Sequence, residues 1–239
     1  WNGCHFPGTT ALKVAAAREI FDGYAFYGNG SPFAGGTSLG GDGIWGMDFT
    51  GHGARFRKSY FCFDRRITAL TSRIVAERRE NSAPVVTTLF QNTIVPEAEL
   101  VTLDGRPLEG FPHECGITFE TGRRLIDNKG NGYLIPAGND PLRLQVKEQE
   151  WLYFTDKNLI DPKQSPFSNG VTYQNFRNHL KDLSAIEKYY RPTRGKYALA
   201  WFDHGPQPAA AACAYTVVIR TTPQELADLA ATPAHRVRR

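Results

Sequence analysis

The sequence predicts an all-β fold, a sandwich of short antiparallel strands with one or two short helices. Three observations predict it. Apolar residues recur with a period of two in several stretches, the spacing of a half-buried strand. Turn formers are abundant, with 23 Gly and 15 Pro among 239 residues. The runs between them are rich in β-branched residues and in aromatic ones, including 15 Phe and 10 Tyr.

Taken in order, Lys58-Ser59-Tyr60-Phe61-Cys62-Phe63 sets Phe61 and Phe63 on one face and Tyr60 and Cys62 on the other. Both faces are largely apolar, which predicts a strand between two layers. Asp64-Arg65-Arg66 is a turn, and Ile67 to Leu70 starts the return strand. Val85 to Ile94 is a β-branched strand. Leu100 to Leu103 and Leu108 flank Asp104-Gly105, a hairpin turn. Leu125-Ile126 and Tyr133 to Ile135 are strands joined by the turn-rich Asp127 to Gly132. The polar, Pro-containing stretch Asp156 to Gly170 is a long loop. Leu180, Leu183 and Ile186 have helical spacing, which predicts a helix over Leu180 to Tyr189. Tyr197 to Phe202 and Cys213 to Thr221 are strands, with a Gly/Pro/Ala loop from Asp203 to Ala212 between them. Thr222-Pro223-Gln224-Glu225 is a capping box, with Thr222 as N-cap and Pro223 in the first helical position. Ten or more short strands on this plan form a single β-sandwich over residues 1–239.

Composition narrows the function classes. Hydrophobic residues make up 41% and charged residues 22%, as in globular domains. The net charge of +4 suits an acidic ligand. Basic residues fall in small clusters, among them Arg55, Arg57 and Lys58, with no long polybasic block, so no nucleic-acid partner is expected. No apolar run reaches the length of a membrane span, so no membrane partner is expected. The residues open on Trp1-Asn2-Gly3 and carry no signal-peptide pattern. Cys4, Cys62, Cys115 and Cys213 are widely spaced without a CxxC pair, which fits buried thiols, although two disulfides remain open.

Several motifs lose their functional reading in context. Gly41-Asp42-Gly43-Ile44-Trp45-Gly46 matches GxGxxG by letter, but no helix-forming segment follows, so it reads as a hairpin or glycine-lined bend. Asp127 to Gly132 resembles a calcium loop, with Lys129 at a position that needs an oxygen ligand and Gly138 where the bidentate Glu belongs, so it reads as a turn. The six histidines show no HxxxH or HExxH spacing, and no metal or cofactor is expected. Asp203-His204 offers an adjacent carboxylate and imidazole for a self-contained hydrolase. Trp1, Trp45, Trp151 and Trp201 are potential sugar platforms, because an aromatic face suits the C–H side of a pyranose ring. Trp201 lies in an apolar strand and reads as core, whereas Trp1 is the best surface candidate.

Six segments, in order, resemble polysaccharide lyase family 8, on its chondroitin ABC lyase-like branch. Trp1-Asn2-Gly3-Cys4-His5-Phe6-Pro7-Gly8-Thr9-Thr10 resembles the family's W-N-x-x-P-G-T-T segment, with one extra residue before the Pro. Phe33-Ala34-Gly35-Gly36-Thr37-Ser38 is similar to the glycine bend that follows it. Arg57 to Phe63 resembles a K-S-x-F-x-F strand, and Thr87-Thr88-Leu89-Phe90-Gln91 resembles T-T-L-F-Q. Asn131 to Ile135 and Ala200-Trp201-Phe202-Asp203-His204-Gly205 continue the order, and the whole resemblance runs from Trp1 to about Ala230.

The resemblance implies a large antiparallel super-sandwich of the galactose-mutarotase-like kind, the central domain of a lyase acting on acidic glycosaminoglycans. In the family, β-elimination at a uronic acid uses an Asn and an Arg to neutralise the carboxylate. A Tyr with a nearby His moves the protons, and no metal is required. Those groups lie on an N-terminal α/α-toroid, with a supporting Glu just ahead of the W-N-x-x-P-G-T-T segment. All would precede Trp1, so no catalytic residue is expected within this chain, which on this reading is part of a longer lyase. Its expected share is a cleft wall and the packing of the toroid, with Trp1, Asn2, His5, Arg55 and Arg57 as candidate substrate-binding residues for an acidic polysaccharide. The family implies an extracellular or periplasmic location, and the substrate stays open among chondroitin sulfate, hyaluronan and xanthan. The alternative is a stand-alone carbohydrate-binding or structural sandwich without catalytic activity.

Overall fold

A computed structural model describes residues 5–13, 31–51, 54–77, 83–95, 99–154 and 190–231. The first strands in chain order are β1 (Thr10–Leu12), β2 (Phe33–Leu39), β3 (Asp42–Gly51), β4 (Ala54–Phe63), β5 (Arg66–Ala76), β6 (Pro84–Thr93) and β7 (Thr102–Leu103). They are followed by β8 (Arg106–Pro107), β9 (His113–Ile117), β10 (Arg123–Ile126), β11 (Gly132–Ile135), β12 (Leu142–Phe154), β13 (Tyr190–Pro206) and β14 (Ala211–Val218). One helix, α1 (Pro223–Ala231), closes the described chain. The strands form a five-stranded sheet in the order β1-β6-β13-β12-β9 and a nine-stranded sheet in the order β2-β3-β4-β5-β14-β11-β10-β7-β8. Neighbours in both sheets pair antiparallel, as the all-β reading expects.

The core lies between the sheets. Leu142, Leu144 and Phe202 from the smaller sheet meet Leu125, Ile135 and Tyr215 from the larger one, all of them buried. A bulge sharpens this packing. Ala200 pairs with Phe90 and Trp201 with Thr88, so Leu89 has no opposite number. The extra residue lets Leu89 and Phe90, adjacent in sequence, both enter the core. A second cluster of Leu12, Phe56, Ile74 and Val85 fills the gap toward β3, with the Phe49 and Phe56 rings stacked at 4.9 Å.

The turns obey local chemistry. Asp104 and Gly105 have φ of 52° and 81°, the pair of positive values that a type I′ hairpin needs. Gly40 and Gly41 close the β2–β3 hairpin, so the GxGxxG letters belong to a turn and a strand. The Asp127 carboxylate is saturated: it accepts from the backbone N–H groups of Lys129 at 2.8 Å and Asn131 at 3.0 Å, from Asn131 Nδ2, and from the Tyr133 hydroxyl at 3.1 Å. That set makes an Asx-type turn, as the sequence reading preferred. At α1, Thr222 Oγ1 accepts from the Glu225 N–H at 3.2 Å, as an N-cap should. The Glu225 side chain, however, pairs with Arg65 and accepts from Thr221 Oγ1, tying the helix to the β4–β5 turn. Leu226 is buried on Ile126 and Val218, on the outer face of the larger sheet. A Cβ on Gly132 would lie 2.5 Å from Thr221 Cγ2 and 2.8 Å from Leu226 Cδ1, so only glycine lets the helix seat.

Several expectations need correction. β13 runs through to Pro206, which pairs with Pro84, so only 207–210 remain of the loop placed over Asp203 to Ala212. β14 stops at Val218 rather than Thr221. The strand holding Phe61 and Phe63 is not sealed on both sides: Phe61 is half-buried and Phe63 is exposed, because no described layer covers the outer face of the larger sheet there. The helix read over Leu180 to Tyr189 and the loop read over Asp156 to Gly170 lie outside the described residues. Cys62, Cys115 and Cys213 stand in strands as free thiols, and Cys4 lies outside the described residues.

Candidate functional site

The segment His5 to Lys13 is the part of the candidate site that the structure describes. Its path follows from two residues. Pro7 and Gly8 occupy the middle of a turn closed by the Thr9 N–H on the Phe6 carbonyl at 3.1 Å, and Gly8 has φ of 80°. Pro then Gly with positive φ is the signature of a type II turn. Gly8 is required for a second reason, since a Cβ there would lie 3.1 Å from the Tyr60 hydroxyl oxygen. Two backbone bonds lock the turn to β6, Gly8 N–H to Thr88 O at 2.8 Å and Thr88 N–H to Thr9 O at 3.0 Å. The Gly8 carbonyl points between the sheets, where it accepts from Lys58 Nζ at 2.6 Å and from the Tyr60 hydroxyl at 2.7 Å.

That turn sends His5 to the outer face of the five-stranded sheet. There the imidazole lies on Trp201, ring centroids 4.8 Å apart. His5 Nδ1 is 3.0 Å from Thr88 Oγ1, and Gln91 Nε2 donates to the His5 carbonyl at 2.9 Å. Lys13 Nζ stands 4.4 Å from the centroid of the same indole, a cation–π contact. Trp201 is buried, as read from the sequence, but beside Val86 and Leu199 on this outer face rather than between the sheets. Burial, helped by the Lys13 charge, pushes the His5 pKa down to about 3, so the ring is neutral across the physiological range. His5 Nε2 is buried and has no hydrogen-bond partner among the described residues. A neutral imidazole with one ring nitrogen spoken for can offer a single polar contact. It cannot neutralise a carboxylate.

Between the sheets lies a second polar group. His204 Nδ1 is 2.7 Å from Asp140 Oδ2, and Nε2 is 2.8 Å from Thr87 Oγ1, which lies 2.8 Å from Thr10 Oγ1. Burial works against the charge on His204, but the Asp140 bond and the neighbouring Cys213 outweigh it and lift the pKa to about 9. The protonated ring therefore donates from both nitrogens and Thr87 accepts, with the Thr10 hydroxyl hydrogen-bonded to Thr87 in turn. Asp203 does not join this group. It points the other way, as a strand's period of two demands, and meets Arg143 Nε at 3.6 Å. The Asp203–His204 dyad of the hydrolase reading is thus not formed. Lys58 is buried at an inward position of β4, and burial lowers its pKa to about 8.

Of the residues singled out from the sequence, Trp1 and Asn2 lie outside the described residues. Arg55 and Arg57 are half-exposed on β4 and share Asp48, at 3.9 Å and 2.9 Å. They flank Phe56, which is buried between the sheets, so both point away from the core on the outer side of the larger sheet. The structure therefore does not bring them to His5, which lies outside the other sheet. Lys13, Asp140 and the buried Lys58 were missed. A lysine at an inward position of an apolar strand was the one available signal, because the other partnerships join residues far apart in sequence. Among the described residues no three His, Cys, Asp or Glu side chains converge to hold a metal ion, and no helix is long and apolar enough to cross a membrane.

The comparisons with known proteins agree with this architecture. The chain is 27% identical over 174 residues to chondroitin sulfate ABC endolyase of Proteus vulgaris, covering 73% of this chain and 13% of that protein. It is 30% identical over 191 residues to chondroitin sulfate ABC exolyase of the same organism, covering 72% and 18%. The chain thus spans less than a fifth of either relative. Among solved structures, a Paenibacillus xanthan lyase superposes with a TM-score of 0.66 at 21% identity, over 96% of this chain and 19% of that one. A chondroitinase AC lyase superposes with a TM-score of 0.65 at 19% identity, over 97% and 29%. At such identities the structures show the fold. The model of polysaccharide lyase family 8, super-sandwich domain, matches residues 1–163, and the chain belongs to that family.

Proposed function

We propose that this chain is the central super-sandwich of a longer lyase that cleaves a uronic-acid-containing glycosaminoglycan of the chondroitin sulfate or hyaluronan type by β-elimination. It supplies a wall of the cleft and a packing surface for an α/α-toroid that carries the catalytic groups. The observation that carries the reading is the family match over residues 1–163, joined to relatives named as chondroitin sulfate lyases that extend far beyond the aligned part. β-Elimination needs a base at C5 of the uronate, an acid at the leaving oxygen and cations on the carboxylate. Two of the described histidines are not poised for that exchange, since His5 is held neutral in a buried contact and His204 is locked to Asp140. Trp1, Asn2 and His5 remain proposed substrate-side contacts of the wall, and Arg55 and Arg57, on the outer side of the other sheet, are a separate proposed contact. The same reading places the protein outside the cytoplasm, in contact with polymeric substrate.

The test is a comparison of two proteins on chondroitin sulfate and hyaluronan, this chain alone and the product of the longer reading frame. Unsaturated oligosaccharides are expected from the longer protein alone. Their release by the 239-residue chain would overturn the assignment of the chemistry to another region.

A further inference from the structure

We infer that the outer face of the nine-stranded sheet carries a holding site for a short run of acidic sugar, in a groove between β10 and β5 that is closed at one side by α1. The inference rests on the proposed substrate class, and it assigns that class to a surface that the sequence reading did not single out.

The groove has a volume of about 550 Å³, within the usual size of a ligand site. Its floor is one rung of the sheet. Thr68 of β5 pairs with Thr216 of β14, Thr216 with Leu134 of β11, and Leu134 with Arg124 of β10. Three strand spacings make this rung roughly 14 Å long, enough for consecutive sugar rings. The side chains along it change character in a useful order. Thr68 and Thr216 bring hydroxyls 2.9 Å apart, Leu134 is apolar, and Arg124 is a cation. Leu229 of α1 adds a second apolar side chain to the wall. Apolar surface suits the C–H face of a pyranose, hydroxyls suit its ring substituents, and guanidinium suits a carboxylate or sulfate.

Charge bookkeeping singles out Arg124. Arg123 is neutralised by Asp104, with Nε 2.7 Å from Oδ2. Arg66, at the far end of the groove, meets Asp64 at 3.2 Å, but that carboxylate is 79% exposed and screened by water. Arg124 holds its place through its backbone, whose N–H donates to Asp104 Oδ1 at 2.9 Å and whose carbonyl accepts from the Asp104 N–H at 2.7 Å. Its guanidinium has no ion pair with any described residue. The groove therefore pairs a cation anchored by its main chain at one end with a weakly compensated one at the other. Two anionic groups about a disaccharide repeat apart, like successive uronates of an acidic glycosaminoglycan, match that spacing better than a single anion does.

The experiment is calorimetric titration of the 239-residue chain with a chondroitin sulfate hexasaccharide, beside a neutral dextran hexasaccharide and inorganic sulfate. Hydrogen exchange on the same samples locates the contact. The inference expects saturable, salt-sensitive binding of the acidic hexasaccharide alone, with protection around Gly122 to Arg124 and Thr216. Arg124→Ala should weaken binding about tenfold, Arg124→Lys should weaken it less, and Arg106→Ala on the exposed β8 should leave it unchanged. Unchanged binding by both Arg124 variants would overturn the site, as would protection confined to β4 or equal binding of the neutral sugar. Loss of self-association in Arg124→Ala without any sugar binding would assign the groove to a protein segment and overturn it too. The substrate reading fails separately: if the longer protein cleaves no uronate polymer while the groove binds the hexasaccharide, the function falls and the site stands. If cleavage is normal and the Arg124 variants bind as before, the site falls alone.

Discussion

Two of the described histidines shift the pH response of this sandwich in opposite directions. His5 has a folded pKa near 3, below its ordinary 6.5, so the folded state resists its protonation. The stability this contributes is complete above about pH 6.5 and is lost as the pH falls toward 3. His204 has a folded pKa near 9, above its ordinary 6.5, so the folded state favours its protonation. That contribution is complete below about pH 6.5 and is lost as the pH rises to 9. Lys58, lowered from 10.5 to about 8, adds a partial recovery between those values, because the folded state is relieved of a buried charge. Stability should therefore peak near pH 6 to 7 and fall on both sides, by roughly 2–3 kcal/mol on the alkaline one. Denaturant melts of the chain at half-unit pH steps check this. His204→Gln should flatten the fall from pH 6.5 to 8, and His5→Gln should flatten part of the acid limb. An alkaline limb that persists unchanged in His204→Gln would show that the Asp140 pair does not carry it. None of this was legible in the sequence, where the only visible partner for His204 was the adjacent Asp203. Its real partners, Asp140 and Thr87, sit 64 and 117 residues away.

Individual elements were more legible than their neighbours. The Asp104-Gly105 hairpin, the turn at Asp64 and the α1 cap follow from chemistry within four residues, and local sequence carries that information in full. Strand order does not follow in this way. β5 lies beside β14 and β6 beside β13, pairs that join distant parts of the chain, and the alternation of a strand says nothing about which strand lies next to it. The same limit explains Phe63: its period shows which face it occupies, whereas its exposure depends on whether a layer covers that face. Within the candidate site, the Pro7-Gly8 turn was visible as a motif, but its attachment to Lys58 and Tyr60 was not. At α1 the local reading is strong enough to carry a number. Thr222→Ala removes the acceptor for the Glu225 N–H and should cost about 1 kcal/mol. Leu226→Ala opens a cavity over Ile126 and Val218 and should cost about 2–4 kcal/mol. Thermal melts of the two variants rank the cap against the apolar contact. A cap variant as damaging as the cavity variant would mean that Thr222 also holds the tether from Glu225 to Arg65.

At the scale of the whole molecule, the larger sheet exposes apolar side chains to water over its β2–β4 end, most of them on its outer face. The five-stranded sheet ends at β1, while the nine-stranded one continues through β4 and β3 to β2. Phe33, Leu39, Ile44, Trp45 and Phe63 are exposed on that extension. They are not scattered: Ile44 pairs with Phe61 across the sheet, and Trp45 lies 5.8 Å from Tyr60 on the other side. Among the described residues β2 pairs only with β3, at the sheet edge beside this apolar surface. Exposed apolar patches and sheet edges both promote association. In the proposed lyase another part of the protein covers this extension, which is how a wall domain would hold its partner. Two outcomes separate that account from a surface that is simply tolerated. The isolated chain should show concentration-dependent association in sedimentation, and Ile44→Lys should shift it toward monomer without lowering its melting temperature, since Ile44 leaves the core intact. The longer protein should stay monodisperse, and in it the same substitution should loosen the domain contact, seen as faster hydrogen exchange over β2 and β3. A chain that sediments as a monomer at every concentration, with exchange over β2 and β3 already slow, would show that the extension needs no covering partner, and the packing role proposed for it would fall.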